Sequence, residues 1–207
     1  MDKTKPRVIT ISRQLGSGGA YIGQQLAKKL SYRYLDREII SIAAKQLSIL
    51  EEDLQLRDEK MLSFWESFLQ FSALGTDAYA PPKIVNLTDH ELFKIQAEII
   101  QRVANEQSSI IMGRCGFHIL KDHPNRVSIF LHADRDFRSE RVRELYHISK
   151  KEADKMVQKN DKERDEYIGT FTEAEWCDAK QFNLCIDTSK IGVDNSVELI
   201  LNYLNFM

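Results

Sequence analysis

The chain has 207 residues, of which 43% are hydrophobic and 29% charged, a composition typical of one globular core with or without a small lid. The formal net charge of -2 excludes a strongly basic protein and gives no indication of nucleic acid or an acidic membrane as a partner. The apolar run within MDKTKPRVITIS is too short for a signal peptide or a membrane span, so we expect a cytoplasmic protein without a membrane contact.

Short apolar segments alternate with amphipathic segments along the whole chain. The β-branched or apolar runs predict strands at residues 7–12, 32–36, 108–113, 126–133 and 182–189. The amphipathic runs predict helices at residues 18–30, 37–49, 134–148 and 194–204, and one that begins near Thr88 or Asp89 as N-cap. Asp194 is the candidate N-cap of the last helix. Alternation of this kind predicts the α/β class, with a parallel sheet covered on both faces.

Two regions between these elements allow more than one interpretation. Residues 51–82 are rich in aromatic side chains, which either pack on one another in a helical subdomain or line a pocket for a planar base. Residues 134–166 carry ten basic and ten acidic side chains, a balance that favours a solvated helical hairpin over an anion site. The cysteines Cys115, Cys177 and Cys185 lack CxxC spacing and predict reduced thiols and no zinc site.

A glycine cluster, Gly16-Ser17-Gly18-Gly19, joins the first predicted strand to the first predicted helix. Backbone N–H groups in such a turn converge on an oxyanion, and the helix N-terminus adds partial positive charge. The motif GxxxxGK[ST] is incomplete, because superposing the GSG portion puts Gly19 at the lysine position and Tyr21 where a magnesium-contacting hydroxyl is expected. A tight turn without a ligand is the alternative.

Further segments occur in an order that resembles the cytidylate kinase-like family, a branch of the P-loop nucleoside monophosphate kinases. They are ITISRQLGSGGAYIGQQLAKKL, YLDREII, IIMGRCGFHIL, RVSIFLHA, KNDKERDEYIGTF and LCIDTS. The resemblance implies a single domain over residues 1–207 with a three-layer α/β/α P-loop NTPase fold and a five-stranded parallel sheet. It implies a core at 1–36, 106–133 and 181–207, a helical acceptor-binding insertion over about 37–105 and a helical lid over about 134–180.

The resemblance also implies a reaction: transfer of the γ-phosphoryl group of ATP, with Mg2+, to a nucleoside monophosphate, CMP or dCMP being the first candidates. Phosphoryl transfer requires alignment of the reactants and neutralisation of several negative charges. The candidate catalytic cations are Arg13, Arg138, Arg141 and Arg164. The candidate nucleotide-binding loop residues are Gly16, Ser17, Gly18, Gly19, Ala20 and Tyr21. The candidate acceptor-binding residues are Asp36, Arg37, Arg114 and Asp161.

Each of these side chains also has a plain structural interpretation. Arg13 is suited to bonding a neighbouring carboxylate or to replacing the missing lysine charge, and Asp36 to capping the next helix or to contacting the acceptor. Arg37 is equally suited to the surface. The lid pairs of Arg138 with Arg141 and of Asp161 with Arg164, each three residues apart, are compatible with solvated salt bridges.

Beside Gly19 and Tyr21 in the loop, two further residues depart from the resembled pattern. Cys115 stands where cytidylate kinases have an Asp, which weakens the case for CMP as the acceptor. Met112 stands where they have an Asp near magnesium, so we expect no protein metal site and a Mg2+ ion held mainly through phosphates and water, with Ser17 or Asp36 nearby. A nucleotide-binding regulatory or sensor protein without kinase activity, and a kinase for another small acceptor, remain alternatives. The oligomeric state stays open.

Overall fold

The computed structural model describes residues 5–36 and 89–207 of the chain. Two compact units divide the chain, one formed by Met1–Asp36 with Ile100–Met207 and the other by Arg37–Ile99. Within the second unit the described residues are 89–99, which form the first turns of a helix. The predicted helix at 37–49 and the aromatic-rich segment 51–82 lie outside the described residues, as do most of the expected acceptor-binding insertion and Arg37.

Five parallel strands form one sheet in the order β2-β3-β1-β4-β5. The strands are β1 Val8–Arg13, β2 Arg33–Leu35, β3 Ser109–Met112, β4 Arg126–His132 and β5 Leu184–Asp187. The central strand β1 pairs on both sides, with Ile9 opposite Ile110 and Val127. The predicted α/β class and all five predicted strands are confirmed, because buried parallel strands are short continuous apolar runs.

Helices follow most of the strands in the chain. They are α1 Gly19–Leu30, α2 Asp89–Glu106, α3 Gly116–Ile119, α4 Arg135–Tyr146, α5 Lys150–Thr172, α6 Thr188–Ile191 and α7 Val193–Asn205, with a 3-10 turn at Ala179–Gln181. Asp89 is already helical, and Thr88 lies outside the described residues. The N-cap prediction for Asp194 is wrong, because α7 begins at Val193 with Gly192 as its cap and Asp194 lies in the first turn.

The two faces of the sheet are covered differently. On one face, odd-numbered β1 residues such as Ile9 pack with Leu26 of α1 and Ile200 of α7 in one buried cluster. On the other face Phe130 of β4 stacks on Phe182 at 5.1 Å and meets Trp176 edge-on at 5.8 Å between ring centroids. Covering on both faces is what a parallel sheet requires, and it leaves the carboxyl ends of the strands for a site.

Helices α4 and α5 form the predicted hairpin. Ser149 begins α5 with a capping box, because its hydroxyl accepts from the Glu152 N–H and the Glu152 carboxylate accepts from the Ser149 N–H. Val142, Ala153 and Val157 are buried between the two helices. Both helices belong to the same compact unit as the sheet. None of the helices within residues 5–36 and 89–207 is long and apolar enough to cross a membrane.

Candidate functional site

The loop between β1 and α1 turns through two glycines with left-handed backbone conformations, Gly16 at φ 83 and Gly18 at φ 82. A Cβ at Gly16 would lie 2.5 Å from the Arg138 carbonyl oxygen, so the loop backbone packs directly on the start of α4. At Gly18 a Cβ would lie 2.8 Å from Val193 Cγ2. Only glycine combines this conformation with so close an approach, and the loop is therefore held in one shape.

The N-terminus of α1 offers backbone donors at the turn. The first bond of the helix runs from the Ile22 N–H to the Gly18 carbonyl at 3.0 Å, so the N–H groups of Gly19, Ala20 and Tyr21 have no acceptor within the helix. No acidic side chain lies in its first turn. A phosphate group matches both the donors and the positive end of the helix dipole.

Ser17 shapes this loop from inside. Its side chain is buried, its hydroxyl donates to the Gln14 carbonyl at 2.8 Å, and its own carbonyl accepts from the Thr188 hydroxyl at 2.9 Å. The hydroxyl therefore has a backbone partner in the loop itself. The expectation that Ser17 lies near a Mg2+ ion stays a prediction.

Tyr21 is bound to α7. Its hydroxyl donates to Asp194 Oδ1 at 2.8 Å, which raises the pKa of Tyr21, and the residue is 42% exposed. The motif also places its hydroxyl residue directly after the lysine position, which corresponds here to Ala20 and not to Tyr21. The assignment of the magnesium hydroxyl position to Tyr21 is therefore corrected, and Ala20 has no hydroxyl to offer.

Arg13 ends β1 beside the loop. Its Nη2 lies 3.5 Å from Asp36 Oδ1, and the Tyr34 hydroxyl donates to the other carboxylate oxygen at 3.4 Å. The Arg13 carbonyl in turn accepts a 2.5 Å hydrogen bond from Arg164 Nη1 of α5. The structure thus brings the predicted residues Arg13, Asp36 and Arg164 together.

Burial, reinforced by the nearby charge of Arg13, lowers the pKa of the Arg164 guanidinium to about 9, while Asp161 and Asp36 oppose the shift. The guanidinium remains protonated at neutral pH. Desolvation is therefore only partly compensated by the surrounding carboxylates. An additional anion would stabilise this cation.

Arg114 is the second residue after β3 and lies in a left-handed turn, with φ 66 at Gly113, 53 at Arg114 and 53 at Cys115. The Arg114 side chain is buried, and desolvation lowers its pKa, while the charge of Asp36 raises it and that of Arg13 lowers it. Arg114 therefore lies within electrostatic range of the Arg13–Asp36 pair. We call Arg13, Arg114 and Arg164 the arginine cluster.

Arg138 and Asp161 are brought together in a different way. Arg138 Nη1 lies 2.6 Å from Asp161 Oδ2 and its Nε donates to the Ala133 carbonyl at 3.0 Å. The same Nη1 donates to the Leu15 carbonyl at 3.4 Å, and Asp161 Oδ1 accepts from the Leu15 N–H at 3.4 Å. The pair therefore binds both the carbonyl and the N–H of Leu15, and Asp161 neutralises the charge of Arg138.

Arg141 lies one turn further along α4. Its guanidinium carbon lies 5.9 Å from the centroid of the Phe137 ring. Its Nε is buried, and it has no hydrogen-bond partner among the residues that the structure describes. The predicted role of Arg141 at the phosphates stays a prediction.

The chain is similar to known proteins over most of its length. The model of the Cytidylate kinase-like family matches residues 8–190. The chain belongs to that family. It is 25% identical to the cytidylate kinase of Sulfolobus acidocaldarius over 201 residues, which cover 95% of this chain and 93% of the relative. It is 26% identical to the cytidylate kinase of Sulfurisphaera tokodaii over 203 residues, with coverage of 97% and 96%.

A solved structure shares the fold of this cytidylate kinase-like protein. An uncharacterized protein from Eubacterium ventriosum superposes with a TM-score of 0.71 and 25% sequence identity, covering 96% of this chain and 98% of the other. The two chains match over nearly their whole length.

The two departures of this family member from the resembled pattern are both buried. Met112 is fully buried in the main cluster, where its thioether packs near Gly23 and is no ligand for a hard cation. Cys115 is also buried, and desolvation raises the pKa of its thiol to about 12. A neutral thiol in the core does not present the carboxylate oxygens that a base amino group would need.

The described ranges contain no group of three or more His, Cys, Asp or Glu residues that could hold a metal ion. Asp36 is a carboxylate that lies beside the arginine cluster, 3.5 Å from Arg13. Mg2+ in phosphate sites commonly uses one or two carboxylates together with phosphate oxygens and water. The Asp36 carboxylate therefore fits a Mg2+ ion that is carried by a nucleotide.

Thr188 was not singled out by the sequence, although the LCIDTS segment contains it. Its buried hydroxyl donates to the Ser17 carbonyl at 2.9 Å and to the His132 carbonyl at 3.2 Å. It thereby joins the loop to the ends of β4 and β5. Thr188 lies at the carboxyl end of a predicted strand, as the glycine loop does, and the carboxyl ends of parallel strands lie at one edge of the sheet. This is the signal in the sequence that would have indicated its role.

Proposed function

We propose that this protein is an ATP-dependent phosphotransferase that acts on a nucleoside monophosphate. The observation that carries the proposal is the arginine cluster beside the glycine loop. The three guanidinium groups lie within electrostatic range of one another, and among the described residues the carboxylates that act on them are Asp36 and Asp161. A group of guanidinium side chains next to helix N–H groups that have no acceptor within the helix is complementary to several phosphates.

In this proposal the loop N–H groups of residues 19–21 bind the phosphates of ATP. Bound Mg2+ would supply further neutralisation of phosphate charge, with Asp36 as its protein contact. Arg164 binds the Arg13 carbonyl beside the loop, and Arg114 lies just after the carboxyl end of β3, where an acceptor phosphate is expected. These residues align the two nucleotides and compensate the charge that moves between them.

Arg138 and Asp161 are assigned a positioning role. Their bonds to Leu15 fix the loop that holds the donor. We propose further that α4 and α5, within residues 134–180, act as the lid and that residues 37–105, with Arg37, bind the acceptor. Arg141 is proposed to reach the nucleotide phosphates from α4.

CMP or dCMP is the first candidate acceptor, because the curated relatives are cytidylate kinases. The buried thiol of Cys115 provides no acceptor for the amino group of cytosine, so other monophosphates belong in the same test. A nucleotide-binding regulatory protein is the second candidate function. The observation that favours it is the loop itself, which lacks both the lysine and the hydroxyl of the GxxxxGK[ST] motif.

The test is a panel of nucleoside monophosphates, each incubated with the full chain, ATP and Mg2+, with diphosphate formation followed by chromatography. Calorimetry with ATP alone is run in parallel. We expect diphosphate from at least one acceptor, and fastest with CMP or dCMP. Measurable ATP binding without any diphosphate would overturn the kinase and leave the regulatory protein. Absence of both would overturn the two proposals together.

A further inference from the structure

The loop differs from the GxxxxGK[ST] motif at three positions, and two of them, residues 13 and 19, are related to each other. The motif begins with a glycine and has its lysine six residues later. In this chain the first position is Arg13 and the sixth residue after it is Gly19, while Gly18 keeps its place. The glycine and the cation have therefore exchanged positions in the sequence.

The structure shows why the two positions depend on one another. A Cβ at Gly19 would lie 2.7 Å from Arg13 Cγ and 2.8 Å from Arg13 Cβ, distances that real Cβ atoms essentially never show. Gly19 has an ordinary helical conformation and not a left-handed one, so its backbone does not require glycine. The Arg13 side chain alone excludes a side chain at 19. By the same contact, a lysine at 19 needs a glycine at 13.

The far end of the Arg13 side chain is fixed by a second glycine. A Cβ at Gly113 would lie 2.2 Å from Arg13 Nη1. Arg13 Nη2 lies 3.5 Å from Asp36, which also accepts from Tyr34. The side chain therefore runs from β1 across the first residue of α1 to the end of β3. Its methylene carbons lie against the first residue of α1, and its guanidinium lies at the carboxyl end of β3, on the same edge of the sheet as the loop.

We propose that Arg13 is the phosphate-binding cation of this loop, and that it takes the place of the absent lysine through a reciprocal exchange with Gly19. The inference rests on the proposed function in one respect, the choice of a polyphosphate as the ligand. Its steric half, the dependence of position 19 on position 13, is independent of any ligand.

The steric half is tested by a double-mutant cycle on the ligand-free protein, measured by urea unfolding. Gly19→Ala in the otherwise unchanged chain is expected to lower the unfolding midpoint. In a chain that carries Arg13→Gly, the same Gly19→Ala change is expected to have little effect or to raise the midpoint, since alanine favours a helix over glycine. Equal effects of Gly19→Ala in both backgrounds would overturn the exchange.

The ligand half is tested by calorimetry with ATP and with inorganic tripolyphosphate at one fixed ionic strength. Arg13→Gln is expected to weaken binding of both by at least about tenfold, as loss of a charge-assisted contact does. Gly19→Lys alone is expected to bind poorly, and Arg13→Gly with Gly19→Lys is expected to recover most of the affinity. Arg143→Gln removes an exposed arginine from α4 as the matched control and is expected to change neither ligand's affinity.

Unchanged binding by Arg13→Gln would overturn the proposal, whether or not the double variant folds. Failure of a folded double variant to bind better than Gly19→Lys would also overturn it. A wild-type chain that binds neither ATP nor tripolyphosphate overturns the ligand half together with the proposed function. A wild-type chain that binds both through Arg13 but transfers no phosphoryl group supports the exchange and overturns only the kinase.

Discussion

Arg138 Nη1 donates a 2.6 Å hydrogen bond to Asp161 Oδ2, and each of the two side chains also binds the backbone of Leu15. The ion pair thus joins α4 and α5 to the glycine loop through one residue. The side chain of Arg138 is 7% exposed and that of Asp161 20% exposed, so water screens the pair only weakly. Loss of one partner leaves a buried charge without compensation.

Asp161→Ala is therefore expected to lower the free energy of unfolding by about 1.5–3 kcal/mol, the range for a hydrogen bond to a charged group. Urea unfolding followed by circular dichroism measures it. Glu140→Ala is the control, because Glu140 forms an exposed pair with Arg143 and its loss is expected to have a much smaller effect. Equal losses from the two variants would contradict the structural role of Asp161.

The sequence predicted which of these residues share a helix, but it did not predict which of them contact each other. Spacing of three residues correctly placed Arg138 with Arg141 on one turn of α4, and Asp161 with Arg164 on one turn of α5. No local pattern indicates that Arg138 meets Asp161, since that pairing depends on how α4 and α5 pack through Val142 and Val157. Hydrophobic periodicity predicts the helices, but it does not predict such tertiary contacts.

The sequence predicted the fold more completely than the site, for a related reason. Each strand is a continuous apolar run, such as Val8–Arg13, and this signal needs no partner to be recognised. Arg13 and Gly19 are only six residues apart, but their dependence on each other follows from the contact between the Arg13 side chain and the Gly19 backbone, which the sequence does not show. The Asp194 cap failed because a competing residue, Gly192, ends the preceding short helix and begins α7.

Arg114→Ala is expected to lower kcat/KM for the monophosphate by at least about tenfold. Contacts of a charged group with phosphate contribute roughly 1.5–3 kcal/mol, and each 1.4 kcal/mol corresponds to a factor of about ten. Steady-state kinetics with the preferred acceptor measure the effect, and ATP affinity is measured beside it. Arg143→Ala serves as the control on the exposed side of α4. A normal kcat/KM in Arg114→Ala would place the acceptor elsewhere.

Trp176→Ala is expected to destabilise the protein by about 3–5 kcal/mol, the usual cost of removing a buried aromatic ring. Trp176 is 3% exposed and meets Phe130 of β4 edge-on, so the segment after α5 is packed on the sheet although it falls within the expected lid. Phe206→Ala is the control, since Phe206 is 88% exposed and its loss is expected to cost under about 0.5 kcal/mol. Thermal and urea unfolding measure both; a small effect of Trp176→Ala would mean that this segment is not held by the core.

Cys115 gives the protein a specific dependence of stability on alkaline pH. Burial raises the pKa of its thiol from an ordinary value of 9.0 to about 12. Below pH 9 the thiol is protonated in both the folded and the unfolded chain, so it has no effect on the pH dependence of stability. Between pH 9 and 12 the unfolded chain loses this proton and the folded chain keeps it, so the free energy of unfolding falls as pH rises, by up to about 1.4 kcal/mol per pH unit.

Cys115→Ala should abolish that contribution while leaving the titration of every other group in place. The difference in unfolding free energy between wild type and Cys115→Ala, measured by urea unfolding from about pH 8 to about pH 10.5, is therefore expected to shift against the wild type as pH rises. Thiol titration with a disulfide reagent at about pH 8 gives a second measurement, in which the exposed Cys177 and Cys185 react in the native protein and Cys115 reacts only after denaturation. A pH-independent difference, or rapid native labelling of Cys115, would show that the thiol is accessible and that position 115 does face the site.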